Sequence, residues 1–259
     1  MTEKDTQNDH QLGVYHEKSL NWTSPPNKSW VKGSGASNSE WKNHKKVEVD
    51  PYASDRPAVN NYRLLVSAIT PRPVGFISTI SKDGIHNLAP YSYFNVVNSD
   101  PPLFALGTSH KAGEPKDTAR NILETGEATI NIISDWFIEA ANHTSADAPE
   151  DVDEWDLSGL TKAPSSKVKP PHVAESAFSV EVKLLLHQVI ESKAQKGRKA
   201  ATVFILEGVN FHAREDVVNK DFSGLDLEKL KPVARFGGST YGVTTNVFDI
   251  ARPNYEPSE

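Results

Sequence analysis

The stretch from Val74 to Phe94, VGFISTISKDGIHNLAPYSYF, decides the fold. Its first part, Val74 to Ser81, is a short run of apolar and β-branched residues, which is typical of a β-strand. Lys82-Asp83-Gly84 follows, and Asp-Gly between two β-prone segments is a strong signal for a hairpin turn, because such turns need a positive φ angle. The stretch therefore predicts two antiparallel strands, with the aromatic segment 91–94 after them.

The rest of the chain contains more strand patterns than helix patterns. Strands are predicted at Leu103–Thr108, Ala128–Ile133, Phe178–Ile190 and Ala201–Phe211. Helices are predicted at Lys116–Glu124, which Gly126 would terminate, at Trp136–Asn142, with Ser134 or Asp135 as cap, and for one or two turns at Leu225–Lys231. Strands and helices do not alternate regularly, so a doubly wound parallel sheet is disfavoured. The pattern indicates a mainly β fold, a closed or nearly closed antiparallel barrel with a few helices.

One predicted strand shows which side chains are expected to face the core. In Phe178–Ile190, the apolar residues Phe178, Val180, Val182 and Leu184 alternate with others, and successive side chains of a strand point to opposite faces. Their neighbours Ser179 and Glu181 are therefore expected to face outward and to be plain structural positions.

Two parts of the chain differ from this pattern. Residues 1–49 are polar and rich in Ser, Asn, Lys, Glu and Gly, which predicts a flexible arm, and the domain then covers residues 50–259. Trp22, Trp30 and Trp41 leave open whether part of this arm packs on the domain or on a partner subunit, since solvated tails rarely keep large rings. Residues 144–172 are rich in Pro, Asp, Ser and Lys and are expected to form a long excursion, for which a lid is one possibility.

Composition and motifs exclude several classes of protein. The formal net charge of −6 argues against non-specific nucleic-acid binding, and no run of 18 apolar residues exists that would predict a membrane span. The chain has no cysteine, so disulfides and thiolate chemistry are excluded, and the nine histidines show no metal-ligand spacing. The polar N-terminus is not a signal peptide, so a cytoplasmic protein is expected. Nucleophile-elbow, P-loop, zincin and dinucleotide-binding motifs are lacking.

The residues that remain suit the binding of a phosphate. Small hydroxyl residues and cations are concentrated between Thr70 and Asn121, and a helix begins there at Lys116-Asp117-Thr118. A phosphate needs N–H or O–H donors and one or two cations, and a helix N-terminus supplies part of that. Each piece alone is more often a solvated strand face or an ordinary helix cap.

The order of these pieces resembles one known family. The blocks are Arg72-Pro73-Val74-Gly75-Phe76-Ile77-Ser78-Thr79, Asn87-Leu88-Ala89-Pro90-Tyr91-Ser92-Tyr93-Phe94, Ser99-Asp100-Pro101-Pro102, Lys116-Asp117-Thr118 with Asn121, Thr144-Ser145-Ala146, and Leu230-Lys231-Pro232 with Arg235, Gly237 and Gly238. From about residue 50 to residue 253 the chain is similar to the flavin reductase-like family, which has the FMN-binding split-barrel fold, a Greek-key-like antiparallel barrel.

This resemblance implies a cofactor, an assembly and a set of contacts. The cofactor would be FMN, bound without a covalent link near the interface of a homodimer. Its ring and ribityl chain would lie near Ser78 and Thr79, with further ring contacts from Asn87, Leu88, Ala89 and Ser92. The phosphate or its neighbourhood would be held by Ser109, His110, Lys116 and Thr118. No metal and no catalytic side chain are implied, because the flavin carries the redox chemistry.

The resemblance leaves the reaction itself open. An NADH- or NADPH-dependent flavin reductase that passes electrons to free flavin or to a partner acceptor is the first hypothesis. A flavoprotein oxygenase and a non-catalytic FMN-binding electron carrier or sensor are the alternatives. His143, at the end of a predicted helix, either caps that helix or borders the nicotinamide. His187 and His212 are expected to be structural.

Overall fold

The computed structural model describes residues 20–149 and 152–255, so the first 19 residues of the predicted arm lie outside the described part. The strands are β1 (Asn21–Trp22), β2 (Arg72–Pro73), β3 (Gly75–Ile80), β4 (His86–Tyr91), β5 (Phe94–Ser99), β6 (Pro102–Ser109), β7 (Glu127–Ile132), β8 (Lys162–Ala163), β9 (His172–Val173), β10 (Phe178–Glu191), β11 (Lys199–Ala213), β12 (Val233–Arg235), β13 (Tyr241–Val243) and β14 (Asn246–Val247). The α-helices are α1 (Ala58–Ala68), α2 (Asp117–Thr125), α3 (Ile138–His143), α4 (Glu154–Ser158) and α5 (Leu227–Leu230), with 3₁₀ turns at Glu40–Asn43 and Asp135–Phe137.

Seven strands form one antiparallel sheet in the order β4-β3-β7-β10-β11-β6-β5. The sheet curls until β5 approaches β3. The close approach is seen at Gly75 of β3, where an added Cβ would lie only 2.9 Å from the ring of Phe94 of β5. A residue without a side chain is therefore required at Gly75 for this approach. The predicted mainly β, antiparallel split barrel is confirmed.

The predicted hairpin joins β3 to β4 and divides their side chains between two faces. Gly84 has a φ of +86°, and its N–H donates to the carbonyl of Ser81 over 3.0 Å. Thr79 pairs with Asn87, and Ser78 pairs with Leu88. Since residues opposite one another share a face and neighbours along a strand do not, Thr79 and Asn87 face one side and Ser78 and Leu88 the other.

The inner face of the barrel encloses the main core. The buried apolar residues of this inner cluster are Ile77, Leu106, Ala119, Ile122, Ala128, Ile130, Val180, Val182, Phe204 and Leu206. Two of them, Ala119 and Ile122, belong to α2, which therefore closes the barrel interior. This helix ends where it is predicted to end, at Gly126 with a φ of +73°. The predicted inward alternation along β10 is also confirmed, since Phe178 and Leu184 pack on the same cluster.

A second apolar cluster covers the outer face of β3, β4 and β7. It consists of Val74, Phe76, Leu88, Ile133, Phe137, Ala141, Trp155, Val173 and Val233. Trp155 belongs to the excursion 144–172, and Val173 belongs to β9, the strand at its end. The described residues of the excursion therefore pack on the barrel. Trp155 is only 2% exposed, which fixes α4 against the sheet.

Ser179 and Glu181 face outward from the inner cluster, as predicted, but they are not exposed to solvent. Both are buried, and the carboxylate of Glu181 is fully shielded. The excursion lies over this outer face, and the backbone N–H groups of Ser166, Lys167 and Val168 donate to Glu181. Asn210 and His212 from β11 also contact the Glu181 carboxylate, at 2.9 and 2.6 Å. The alternation of β10 is as predicted, but tertiary packing covers its polar face.

The described part of the arm, residues 20–49, is almost wholly exposed. Trp22, Trp30 and Trp41 are 64%, 52% and 64% exposed, so they do not pack in the core of this chain. Strand β1 of the arm pairs in parallel with β14 near the other end of the chain, and the Lys32 ammonium lies 6.0 Å from the ring centre of Tyr255. Among the described residues no helix is long and apolar enough to cross a membrane.

Candidate functional site

A cleft of about 240 Å³ opens beside the turn between β4 and β5. Its walls come from α1, β2, the end of β4, β6, the residue before α2, the end of α3 and strands β12 and β13. The lining residues are Tyr62, Val66, Arg72, Val74, Pro90, Tyr91, Ser92, Tyr93, Gly107, Ser109, Lys116, Asn142, Ser145, Arg235 and Tyr241.

The charges of this cleft are all positive. Arg72, Lys116 and Arg235 line it, and no carboxylate does so among the described residues. This is unusual in a chain whose formal net charge is −6. The hydroxyl groups of Ser92, Ser109 and Ser145 are also in its lining. Cations, hydroxyl donors and the absence of acids together suit an anionic ligand.

Lys116 is the N-cap residue of α2, and its side chain forms no cap hydrogen bond. Among the described residues its ammonium has no hydrogen bond or ion pair. Asp147, on which Lys116 acts electrostatically, is paired with Lys111 instead. Lys116 therefore stands at the positive end of a nine-residue helix, on the wall of a cleft. Ser109, at the end of β6, lines the same cleft, so two of the predicted phosphate ligands are brought together.

Arg72 is held in place by four hydrogen bonds. It is 7% exposed, and its Nη1 donates to the carbonyls of Val66 and Ile69 at 2.6 and 2.8 Å, at the carboxyl end of α1. Its Nη2 donates to the carbonyl of Phe236 at 3.0 Å, and its Nε to the Ser92 hydroxyl at 3.3 Å. This guanidinium thus joins three walls of the cleft.

Tyr91 adds a neutral phenol to the cleft. Burial raises the pKa of Tyr91 to about 12, although a hydrogen bond with Thr118 acts in the opposite direction. Asp117 and Glu154 raise the pKa of Tyr91 further. The phenol therefore stays protonated at neutral pH and adds no negative charge to the cleft.

Three predicted site residues form a buried hydrogen-bond network outside the lining of this cleft. Asn87 Nδ2 donates to the hydroxyl of Thr118 at 2.8 Å, and Asn121 Nδ2 donates to the hydroxyl of Thr79 at 3.0 Å. Thr79, Asn87 and Thr118 are at most 6% exposed. The network ties the start of α2 to β3 and β4, and through α2 it fixes the backbone beside Lys116.

Of the remaining predicted residues, only Ser92 lies in the cleft. Ser78 and Leu88 are fully buried under the excursion, on the sheet face opposite to Thr79. The hydroxyl of Ser78 has no hydrogen-bond partner there. His110 bonds Thr202 and the Gly113 carbonyl at 2.8 and 3.2 Å. Ala89 is half-buried next to the cleft residue Pro90, and Ser92 lies in the cleft itself.

A second cleft, of about 290 Å³, has the opposite character. Asp83, Asp117, Glu124 and Glu154 line it, together with Lys82, Arg120, His86 and Asn87. Burial raises the pKa of Glu154, whose carboxylate accepts the Leu88 N–H at 3.1 Å. With four carboxylates this cleft is a poor site for a phosphate. Among the described residues no group of His, Asp and Glu could hold a metal ion.

The sequence interpretation missed several residues of the first cleft, above all Tyr62, Arg72, Asn142, Arg235 and Tyr241. They come from distant parts of the chain, and Tyr241 reaches Asn142 by a hydrogen bond of 2.9 Å. The guanidinium of Arg235 lies 4.2 Å over the ring of Tyr241. The only signal was the presence of Arg72 and Arg235 in the ordered family blocks.

Comparisons with known proteins agree on one family. The model of the flavin reductase like domain matches residues 67–227. A protein of Halalkalibacterium halodurans is 38% identical over 194 residues, which cover 74% of this chain and 91% of that protein. Nitrilotriacetate monooxygenase component B from Bacillus cereus superposes with a TM-score of 0.75 at 33% identity, covering 80% of this chain and all of that one. A Shewanella frigidimarina protein described as a flavin reductase with a split barrel domain gives 0.64 at 26% identity, covering 78% and 95%.

Proposed function

This chain belongs to the flavin reductase-like family, and on that premise we propose that it binds FMN in the cationic cleft and acts as an NAD(P)H-dependent flavin oxidoreductase. The electrons would pass to free flavin or to a partner acceptor. Bound FMN supplies the redox chemistry, and the chain supplies position, electrostatics and exclusion of water.

The observation that carries this proposal is the charge of the cleft. FMN carries a phosphate of about −1.5 to −2 charge at neutral pH. Lys116, at the amino end of α2, offers a cation that forms no ion pair with any described residue, and Ser109 offers a hydroxyl. No carboxylate lines the cleft within the described ranges, although Asp117 and Glu154 act on the lining residue Tyr91 from outside it.

The other walls suit a flat aromatic ring. Val66, Val74, Pro90 and the rings of Tyr62 and Tyr93 provide apolar surface. The protonated Tyr91 adds a dipole but no charge. A hydride donor must come within about 3–3.5 Å of the ring it reduces, so the chain needs to hold two flat rings together and needs no nucleophile.

A homodimer belongs to this proposal. The cleft of about 240 Å³ is smaller than the roughly 300–1,000 Å³ of typical ligand pockets. Tyr62 and Tyr93 line it and are still 52% and 43% exposed. A second copy that covers these rings would enlarge the enclosed volume. Sedimentation equilibrium should give twice the chain mass, and a monomer that binds FMN fully would contradict this part.

The binding site is tested by removing the free cation. Lys116→Met should weaken FMN binding about 10- to 100-fold, because a hydrogen bond to a charged group contributes about 1.5–3 kcal/mol. Lys220→Met, at an exposed turn away from the cleft, is the matched control and should leave binding unchanged. Quenching of FMN fluorescence measures both, and FAD is titrated in parallel. Equal affinity of the two variants would place the phosphate elsewhere.

The reaction is tested by anaerobic mixing of the FMN-loaded protein with NADH or with NADPH. Loss of the flavin absorbance near 450 nm, on the order of seconds or faster, is the expected result for a reductase with an ordinary turnover number. No loss with either donor would refute the nicotinamide-dependent activity. In that case retained FMN would favour an electron carrier, and consumption of oxygen by separately reduced protein with an added substrate would favour an oxygenase.

A further inference from the structure

Arg72 is a buried cation with no anionic partner in the part of the chain that the structure describes. It is 7% exposed, and all four of its hydrogen bonds go to neutral acceptors, namely three backbone carbonyls and the Ser92 hydroxyl. By contrast, the more exposed Arg214 pairs with Asp216 at 2.6 Å. Buried charges are normally paired, because removing a charge from water is costly. No described anion compensates the positive charge of Arg72, so this charge can attract an anionic ligand in the cleft.

The hydrogen bonds also determine how far Arg72 can move. Its donors grip the carboxyl end of α1, the Phe236 carbonyl at the end of β12 and the turn after β4. A guanidinium has five N–H groups, so four of these are used to position the walls. The charge is held rigidly at the cleft, and it cannot swing out to solvent as a surface arginine does.

Arg72 and Lys116 have different consequences for a redox ligand. The phosphate has the same charge whether the flavin ring is oxidised or reduced, so Lys116 stabilises both forms alike. The oxidised ring is neutral, whereas the two-electron-reduced ring carries a negative charge at neutral pH. Arg72 bonds the Val66 carbonyl and the Ser92 hydroxyl, next to the apolar wall proposed for the ring, so its fixed charge would stabilise the reduced form more than the oxidised one.

We propose that Arg72 is a positioning and charge-compensating residue that makes the cleft bind reduced FMN more tightly than oxidised FMN. This inference rests on the proposed binding of FMN in the same cleft. It assigns Arg72 a task that the family resemblance did not assign to it, and it predicts that the midpoint potential of bound FMN is higher than that of free FMN.

The experiment compares Arg72→Met, Arg72→Gln and Arg72→Lys with the wild-type chain. Dye-equilibrated anaerobic titration gives the midpoint potential, and fluorescence quenching gives the affinity for oxidised FMN. The two neutral variants should lose at least tenfold more affinity for reduced than for oxidised FMN, which corresponds to a potential lowered by about 30 mV. Arg72→Lys should keep the midpoint potential of bound FMN close to the wild-type value, because the positive charge remains. It should unfold at a lower temperature, since lysine cannot bridge the same acceptors.

Two controls separate this inference from its premise. Arg63→Gln removes one positive charge from an exposed position of α1, the helix whose carboxyl end Arg72 contacts, and it should change neither the potential nor the melting temperature. Lys116→Met should weaken both redox forms equally and leave the potential unchanged. If the wild-type chain fails to bind FMN, the proposed function fails.

If the wild-type chain binds FMN with a potential at or below that of free FMN, the inference about Arg72 is overturned, even if no neutral variant folds. A neutral variant that binds FMN with the wild-type potential overturns it as well.

Discussion

We expect the buried carboxylate of Glu181 to hold the excursion 144–172 on the barrel. Glu181→Gln keeps the size of the side chain but replaces one oxygen with an NH₂ group. Three consecutive backbone N–H groups, from Ser166 to Val168, point at this carboxylate, and two side chains of β11 join them. The NH₂ group would therefore face donors, and at least one of them would lose its acceptor.

The pKa of Glu181 gives the magnitude. Burial would raise this pKa, yet the hydrogen bonds from Asn210, Ser166, His212 and Lys167 outweigh burial and lower it from 4.5 to about 2. A difference of this size corresponds to at most about 3 kcal/mol of folding free energy. Because the folded pKa is the lower one, the stabilisation is complete above the unfolded pKa and is lost as the pH falls from about 5 to 2.

Urea unfolding at pH 7 and at steps down to pH 3 tests this reasoning. The wild-type chain should be more stable than Glu181→Gln by roughly 3 kcal/mol at pH 7, and the difference should shrink as the pH falls. Glu191→Gln, at an exposed position of the same strand, should unfold like the wild type. A difference between wild type and Glu181→Gln that stays constant from pH 7 to pH 3 would refute the linkage.

Three further results are expected. Gly75→Ala should destabilise the chain by about 1–3 kcal/mol in urea unfolding, because its Cβ would meet the ring of Phe94 at 2.9 Å, and Phe94→Leu in the same chain should recover part of the loss. Trp155→Ala should cost about 3–5 kcal/mol, since it empties the centre of the outer cluster, whereas a cost below 1 kcal/mol would show that the excursion does not hold the fold. In an ultraviolet titration one tyrosine should ionise only near pH 12, and Tyr91→Phe should remove it. Because its folded pKa is the higher one, wild-type stability should fall between about pH 10 and pH 12 more steeply than that of Tyr91→Phe.

Local signals made much of the barrel predictable. Asp83-Gly84 between two β-prone segments fixed the β3–β4 hairpin, and Gly126 fixed the end of α2. Helix α1 was not predicted, because the spacing of apolar residues along it is weak. The structure shows the reason, since Val66 is the only buried residue of this helix. Strand β5 was also missed, since its burial does not alternate.

The candidate site was harder to predict, because it depends on packing between distant segments. Thr79, Asn87 and Thr118 meet in one buried network, whereas the resemblance assigned the first two to the ring or ribityl chain and Thr118 to the phosphate. Ser78 and Thr79 were both expected near the ring and ribityl chain, yet neighbours in a strand point to opposite faces, and this rule alone could have separated them. No local pattern shows that the excursion covers Glu181 or that Arg235 lies in the same cleft as Lys116.

The pairing of β1 with β14 has a consequence for how the chain can be shortened or extended. The N–H of Asn21 donates to the carbonyl of Thr245 at 2.7 Å, and the N–H of Thr23 to that of Val247 at 2.8 Å. Deleting residues from 244 onward would release the arm together with its exposed tryptophans, although the deletion lies more than 200 positions away. Deleting the arm would leave β14 with an unpaired edge, which is a template for aggregation. Truncated versions for crystallisation should therefore remove both segments or neither.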